Sequence, residues 1–389
     1  MPFAFATAGK ILFGAGALAQ VAPHAAQMGR RALVVTGSNP HRSVPLTRQL
    51  EKAGLTWLSF CIAGEPHLEH IVDGAALSRQ EQIDLVIGLG GGAALDSAKA
   101  IAALTTTTRP IEAYVEVIGQ GKALEKDPLP CIAIPTTAGT GSEVTSNAVL
   151  LSPNHHVKVS LRSPKMFPDL AVVDPELTLS MPPDITAFTG CDALTQLLES
   201  FVSSKANPLT DAFGREGLPR AARALPRAVA HGGDMEVRTQ MSLASLLGGL
   251  TLANAGLGAV HGIAGPLGGM IKAPHGALCA ALLPHVMEVN IGALEQKALP
   301  GEPMQRFIEA ARLPTNNHQA GAEAGIHWLH RLTARLQIPS LAHWGLTRQA
   351  IPEVVRKAQA ASSMKGNPVR LSDTQLTAVV EKAMGPVNK

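Results

Sequence analysis

Cysteine is sparse in this chain: Cys61, Cys131, Cys191 and Cys279 stand far apart, with no CxxC pairing. That spacing argues against a disulfide scaffold and points to reduced thiols in a cytoplasmic protein. Aromatic residues make up only 3%, and the net charge is only +3. Without a stacking platform or a strong basic field, neither nucleic acid nor an acidic membrane is expected as a partner. No continuous apolar run approaches membrane length. The opening stretch MPFAFATAGKILFGAGALAQ has no basic leader and is interrupted by Lys10. It reads as a strand, a turn at Gly14 to Gly16 and a helix, not as a signal sequence. Repeats and low-complexity tracts are also missing.

What remains is a globular composition, 46% hydrophobic and 16% charged over 389 residues. That length favours two domains. In the first half, short apolar runs alternate with helical patterns. Strands are expected at 32–37, 58–64, 84–92, 130–137 and 170–178, with helices around Leu46 to Ala53, His70 to Gln80 and Leu95 to Thr105. Such alternation predicts an α/β domain with a parallel sheet covered on both faces. MPP (181–183) is a plausible hinge. Beyond it helical patterns dominate, and 243–260 is rich in small residues that let helices pack closely. The expected division is therefore 1–182 as an α/β domain and 183–389 as an all-α domain, with a loop around Leu299 to Pro303.

In GCDALTQLLESF (190–201), Leu194, Leu197, Leu198 and Phe201 keep the spacing of one helix face. Asp192, Thr195, Gln196 and Glu199 form a second stripe, so Asp192 and Gln196 can aim at one point. His261 and His275 lie further on, in HGIAGPLGGMIKAPH. A carboxylate and imidazoles suit Fe, Zn or Ni, and an amide oxygen is a weaker donor. By itself, however, a polar stripe opposite an apolar one is an ordinary solvated helix face, and most single histidines are not ligands.

Two loops add weight. GLGGGAALDSAK (88–99) sets Gly90 to Gly92 between a strand and a helix, where backbone can approach a pyrophosphate and the helix N-terminus offers free N–H groups. The spacing is not G-x-G-x-x-G, and a tight turn would explain it equally well. PTTAGTGSEVT (135–145) carries Thr136, Thr137, Thr140, Ser142 and Thr145 around Gly139 and Gly141. Two phosphate-friendly loops, each after a buried strand of one sheet, favour a dinucleotide ligand.

Taken together, the glycine turn with Asp96 and Lys99, the TTAGTGSE loop, MFPDLAVVDPELT, the GxDALT helix and the HG…PHG segment resemble the iron-containing (group III) alcohol dehydrogenase family. The match runs nearly end to end. The resemblance implies an N-terminal NAD(P)-binding α/β domain, a C-terminal helical domain and a metal in the cleft between them. It implies reversible hydride transfer between NAD(P) and a small-molecule alcohol or aldehyde polarised by the metal, and it suggests a homo-oligomer. Carried over residue by residue, the metal ligands fall on Asp192, Gln196, His261 and His275. Asp192, His261 and His275 are then the catalytic residues. Cofactor contacts fall on Gly91, Gly92, Ala93, Asp96, Thr136, Thr137, Thr140 and Lys158.

Three departures from the family pattern stand out. Gln196 replaces a ligand histidine, so the metal, Fe or Zn, is either held more weakly or lost. Retention of Asp192, His261 and His275 favours a metal. Gly265 stands where many relatives carry a further histidine, which removes that proton-transfer candidate. Gly37 stands where NAD-preferring relatives often have an Asp; with Ser38 and nearby Arg42 it leans the cofactor towards NADP. The competing readings are a metal-independent maleylacetate reductase-like enzyme and a catalytically silent NAD(P)-binding protein. A dehydroquinate synthase-type lyase is disfavoured by the GxDALT and HG…PHG segments. Asn147, Leu252 and Met364 are candidates for shaping the substrate pocket.

Overall fold

The computed structural model describes residues 2–155, 157–296 and 301–385. The chain forms two compact units, one from Ala6 to Leu179 and one from Ser180 onward together with the residues up to Phe5.

The first unit is built on a six-stranded, wholly parallel sheet. Its strands are β1 (Lys10–Phe13), β2 (Arg31–Thr36), β3 (Thr56–Cys61), β4 (Leu85–Gly90), β5 (Cys131–Pro135) and a last strand at Leu170–Val173, in the order β1, last, β5, β4, β2, β3. Helices α1 (Val21–Met28), α2 (Val44–Lys52), α3 (Leu68–Gln80) and α4 (Gly92–Thr106) make the crossovers. The period-2 geometry of the strands divides their apolar residues between two cores. Leu33, Val35 and Val86 join Ile71 and Ile101 of α3 and α4 on one face. Ala32, Val34 and Ile87 join Val21 and Leu46 of α1 and α2 on the other. Burial on both faces explains why these strands read as continuous apolar runs.

An antiparallel hairpin, β6 (Asn147–Ser152) and β7 (Val157–Arg162), was not expected from the sequence. Its alternation of Val157, Val159 and Leu161 with Lys158, Ser160 and Arg162 is the half-buried pattern, and Val159 and Leu161 enter the α3/α4 core. The last strand of the sheet is thus β8. The 170–178 run is strand only to Val173; Asp174 then caps a 3-10 turn at Pro175–Thr178.

Among the described residues the second unit contains helices and no strand: α5 (Pro183–Val202), α6 (Pro208–Ala230), α7 (Met235–Ala255), α8 (Ala259–Met270), α9 (His275–Gln296), α10 (Glu302–Thr315), α11 (Ala322–Arg335), α12 (Ile351–Ala360) and α13 (Asp373–Ala383), joined by loops and short 3-10 turns. The loop expected around Leu299 to Pro303 falls partly outside the described residues, and at Glu302 and Pro303 the chain is already helical because proline is tolerated in a first turn. Helix α9 is long and apolar enough to cross a membrane, but 78% of that window is buried within the protein, as in a core helix.

Candidate metal and cofactor sites

The second stripe of α5 is not a solvated face. Asp192, Thr195, Gln196 and Glu199 are all buried, with at most 3% of their surface exposed. Buried polar side chains need partners; α8 and α9 bring them to Asp192 and Glu199, while Thr195 donates to the Cys191 carbonyl of its own helix. Nε2 of His261, on α8, lies 3.3 Å from Oδ1 of Asp192, and Nε2 of His275, the first residue of α9, lies 3.9 Å from the same oxygen. The two imidazole rings are 5.4 Å apart, tilted by 53°.

The residue after His275 explains why the ring sits there. A Cβ on Gly276 would fall 2.1 Å from the Phe188 carbonyl oxygen. Only glycine lets the start of α9 press against the backbone of α5 this closely.

Two residues that were not assigned a place in the site complete it. Glu199 accepts a 2.6 Å hydrogen bond from Nδ1 of His261 and another, at 2.7 Å, from the Val260 amide. Its i+7 offset from Asp192 was the available signal. Cys279 lies one turn after His275, with Sγ 3.5 Å from His275 Nε2. One donor atom from each of Asp192, His261, His275 and Cys279 lies within 4.8 Å of the others.

Burial would raise the Asp192 carboxyl, but the adjoining His261 and His275 imidazoles outweigh it and hold the group below the ordinary carboxylate range. Burial would likewise lower both imidazoles, yet Cys279 and Asp192 hold them above their ordinary value, with Glu199 adding to His261. Cys279 is pushed up by burial and pulled further down by the imidazoles of His275 and His261. A carboxylate, a thiol and two imidazoles facing one another form a donor set that a cation would take over by displacing protons. Asp192 Oδ1 and Gln196 Oε1 are buried without a hydrogen-bond partner, which is costly unless something else satisfies them. This donor chemistry fits a divalent metal ion.

Gln196 is one turn from Asp192, and its Oε1 would be 3.2 Å from a Cβ on Gly248 of α7. Gly265 is one turn beyond His261, and a Cβ there would meet nothing within 4 Å. Met364 packs beside the ligand helix, its Sδ 2.5 Å from where a Gly262 Cβ would stand. Leu252 lies on α7 and is partly exposed.

In the first unit, α4 begins immediately after β4, and no side chain caps its N-terminus at Gly91. Uncapped N–H groups and the helix dipole suit an anion. The hydroxyl loop lies directly across. A Cβ on Gly91 would be 3.5 Å from Thr137 Cγ2, and one on Gly92 would be 2.8 Å from Thr140 Cγ2. Thr136 donates its amide to the Gly90 carbonyl at 2.9 Å. Ala93 follows in the first turn of α4.

Asp96 and Lys99 brace this arrangement. Asp96 accepts from Ser142 Oγ at 2.5 Å and from the Val149 amide at 2.8 Å. The Lys99 ammonium is fully buried, pairs with Asp96 at 3.1 Å, and donates to the carbonyls of Ser142 at 2.9 Å and Asn147 at 2.6 Å. Together they tie the hydroxyl loop and the start of β6 to α4. Lys158 pairs with Glu65 at 2.9 Å. Gly37 follows β2, its carbonyl receiving a 3.3 Å hydrogen bond from the Cys61 thiol. Ser38 and Arg42 are exposed in the turn that follows.

Comparison with known proteins matches residues 8–175 to the iron-containing alcohol dehydrogenase family and residues 186–384 to the C-terminal region of the Fe-containing alcohol dehydrogenases. A 1-propanol dehydrogenase of Citrobacter freundii is 38% identical, covering 80% of each chain. An NAD-dependent methanol dehydrogenase of Bacillus methanolicus is 33% identical over 96% of this chain and 97% of its own. The crystal structure of a 1,3-propanediol oxidoreductase superposes with a TM-score of 0.91 at 31% identity, covering 98% of this chain and all of the other. The protein belongs to the iron-containing alcohol dehydrogenase family. It is an alcohol oxidoreductase of that family, whose members work with NAD(H) and a metal.

Proposed function

We propose that the protein interconverts a small primary alcohol and its aldehyde, with NAD(P) as hydride carrier and one divalent metal ion, Fe or Zn, held by Asp192, His261 and His275. The observation that carries this reading is the convergence of those three side chains around an Asp192 oxygen that has no hydrogen-bond partner. A divalent ion at that point supplies Lewis acidity, lowering the pKa of an alcohol oxygen. Glu199 keeps the Nδ1 proton of His261 and so leaves Nε2 as the donor lone pair. Gln196 places a neutral amide beside the set, and His275, the more exposed imidazole, borders the reacting alcohol.

Gly91, Gly92, Ala93, Thr136, Thr137 and Thr140 receive the dinucleotide phosphates, with Asp96 holding the loop that carries the threonines. Lys158, in its pair with Glu65, adds positive charge on the same unit. Gly37 offers no carboxylate to read or repel an adenosine 2′-substituent, and Ser38 with Arg42 favours NADP(H). The relatives named for propanol, methanol and propanediol support a short-chain alcohol as substrate.

The test is a screen of short primary alcohols and aldehydes with NAD(H) and NADP(H), run on anaerobically purified protein alongside elemental analysis. Turnover together with about one metal per chain is expected. Full turnover in metal-free protein favours a metal-independent reductase. Dinucleotide binding without turnover favours a silent binding protein.

A further inference from the structure

We infer that the fourth protein ligand of this metal site is the thiolate of Cys279, in place of the amide of Gln196, and that the site is therefore tuned towards zinc. The inference rests on the metal-binding reading above and extends it to the chain's own ligand set.

The geometry is that of a four-donor site. A tetrahedral ion with nitrogen and oxygen ligands at about 2.0–2.1 Å and a thiolate at about 2.3 Å separates its N and O donors by about 3.3 Å and its S and N donors by about 3.5 Å. The observed separations are 3.3 Å for His261 Nε2 to Asp192 Oδ1, 3.9 Å for His275 Nε2 to the same oxygen, and 3.5 Å for Cys279 Sγ to His275 Nε2. The first and third match such an edge, and the second is about 0.6 Å longer. Among the described residues these four side chains also form the most buried group of potential ligands: Asp192, His261 and Cys279 are buried and His275 is half-buried.

Helical geometry supplies the fourth donor. His275 opens α9, and Cys279 is four residues further along the same helix, so the two side chains lie on one face, one above the other. The same relation holds between Asp192 and Gln196 on α5. Cys279 Sγ converges with the imidazoles and with the Asp192 carboxylate, while Gln196 Oε1, beside Gly248 of α7, offers only a neutral amide oxygen, the weaker donor. Where chemistry offers a choice between a thiolate and a carboxamide, a borderline-soft divalent ion takes the thiolate. The loss of an imidazole at position 196 is thus compensated one helix away, and the resulting set of one oxygen, two nitrogens and one sulfur favours zinc over harder ions.

The test uses cobalt(II) alone as the probe, loaded into the full-length apo protein. The expected result is a thiolate-to-cobalt charge-transfer band in the near ultraviolet together with d–d bands of tetrahedral intensity. Cys279→Ser should abolish the charge-transfer band and weaken zinc binding by about tenfold or more. Gln196→Ala and Cys191→Ser should keep the band. A second measurement needs no variant: zinc should protect Cys279 from alkylation in the wild-type protein, read by peptide mass spectrometry. Stoichiometric cobalt without a charge-transfer band, or Cys279 alkylated equally with and without zinc, overturns the thiolate assignment and leaves the metal site standing. Failure of the wild-type protein to bind cobalt or zinc overturns the metal-site reading, and this inference with it.

Discussion

Glu199 and His261 are joined by a 2.6 Å hydrogen bond from the imidazole Nδ1 to the carboxylate, and the same carboxylate caps the start of α8 through the Val260 amide. One side chain of α5 therefore fixes the tautomer of His261 and the position of the helix that carries it. Outer partners of this kind hold a ligand's orientation and raise its basicity, and losing one typically costs 10–100-fold in metal affinity, by roughly that order. Glu199→Ala should weaken zinc or iron binding by about that amount, while Glu199→Gln, which keeps an acceptor, should fall between it and wild type. Competition with a chelator measures this. Affinity within about twofold of wild type for Glu199→Ala would show that the hydrogen bond does not support the ligand.

The approach of Gly92 to Thr140 leads to a second expectation. A methyl at position 92 would stand 2.8 Å from Thr140 Cγ2, closer than carbon atoms tolerate, so the Thr140 side chain or the loop that carries it must shift. Gly92→Ala should therefore weaken dinucleotide binding by about tenfold, roughly 1.4 kcal/mol. Thr140→Ser removes the offending methyl and keeps the hydroxyl, so the double variant should recover most of the loss. Calorimetric titration decides it, and an equally weak double variant would place the defect elsewhere.

Gly37 bears on cofactor choice. Gly37→Asp should shift kcat/KM towards NAD by about tenfold, because the new carboxylate accepts from a ribose hydroxyl and repels a 2′-phosphate. A Cβ there meets nothing within 4 Å, so the fold should accept the change. Wild-type protein that already favours NAD by more than about tenfold, or 1.4 kcal/mol, contradicts the NADP reading.

Glu143 makes stability depend on pH. It is buried at the end of the hydroxyl loop, and burial pushes its carboxyl up to about 7 against the opposing pull of Lys99. Between its ordinary value of 4.5 and about 7 the unfolded chain releases this proton while the folded chain keeps it. Stability is therefore lost as pH rises through that window, by about 3 kcal/mol in all, and changes little from this source above it. Glu143→Gln should flatten the slope and make the variant more stable than wild type at pH 8. Urea unfolding at pH 5 and pH 8 measures both, and parallel slopes for the two proteins would remove Glu143 as the cause.

Much of this was legible in the residue order, for physical reasons. Strands such as 32–35 are buried on both faces and announce themselves as unbroken apolar runs. The β6–β7 hairpin shows only as alternation, half of it polar, a weaker signal than an unbroken apolar run. Asp192, His261 and His275 were expected as ligands only through the family resemblance, because a polar stripe and two separated histidines by themselves read as an ordinary helix face and unrelated side chains. Cys279 was not, since a lone cysteine carries no signal until α9 is known to start at His275 and to place the thiol one turn above it. The role of Lys99 was not legible, because its four-carbon stem carries the ammonium inward to backbone carbonyls of the next loop.

The central claim is that Asp192, His261 and His275 hold a metal on which turnover depends. It is tested most directly by stripping the protein with a chelator and then titrating iron(II) or zinc back anaerobically, following bound metal and NAD(P)H-dependent aldehyde reduction in the same samples. The account predicts that activity is lost with the metal, returns in proportion to occupancy and saturates near one ion per chain. It also predicts that His261→Ala neither binds nor responds. Undiminished reduction by protein shown to be metal-free would contradict it.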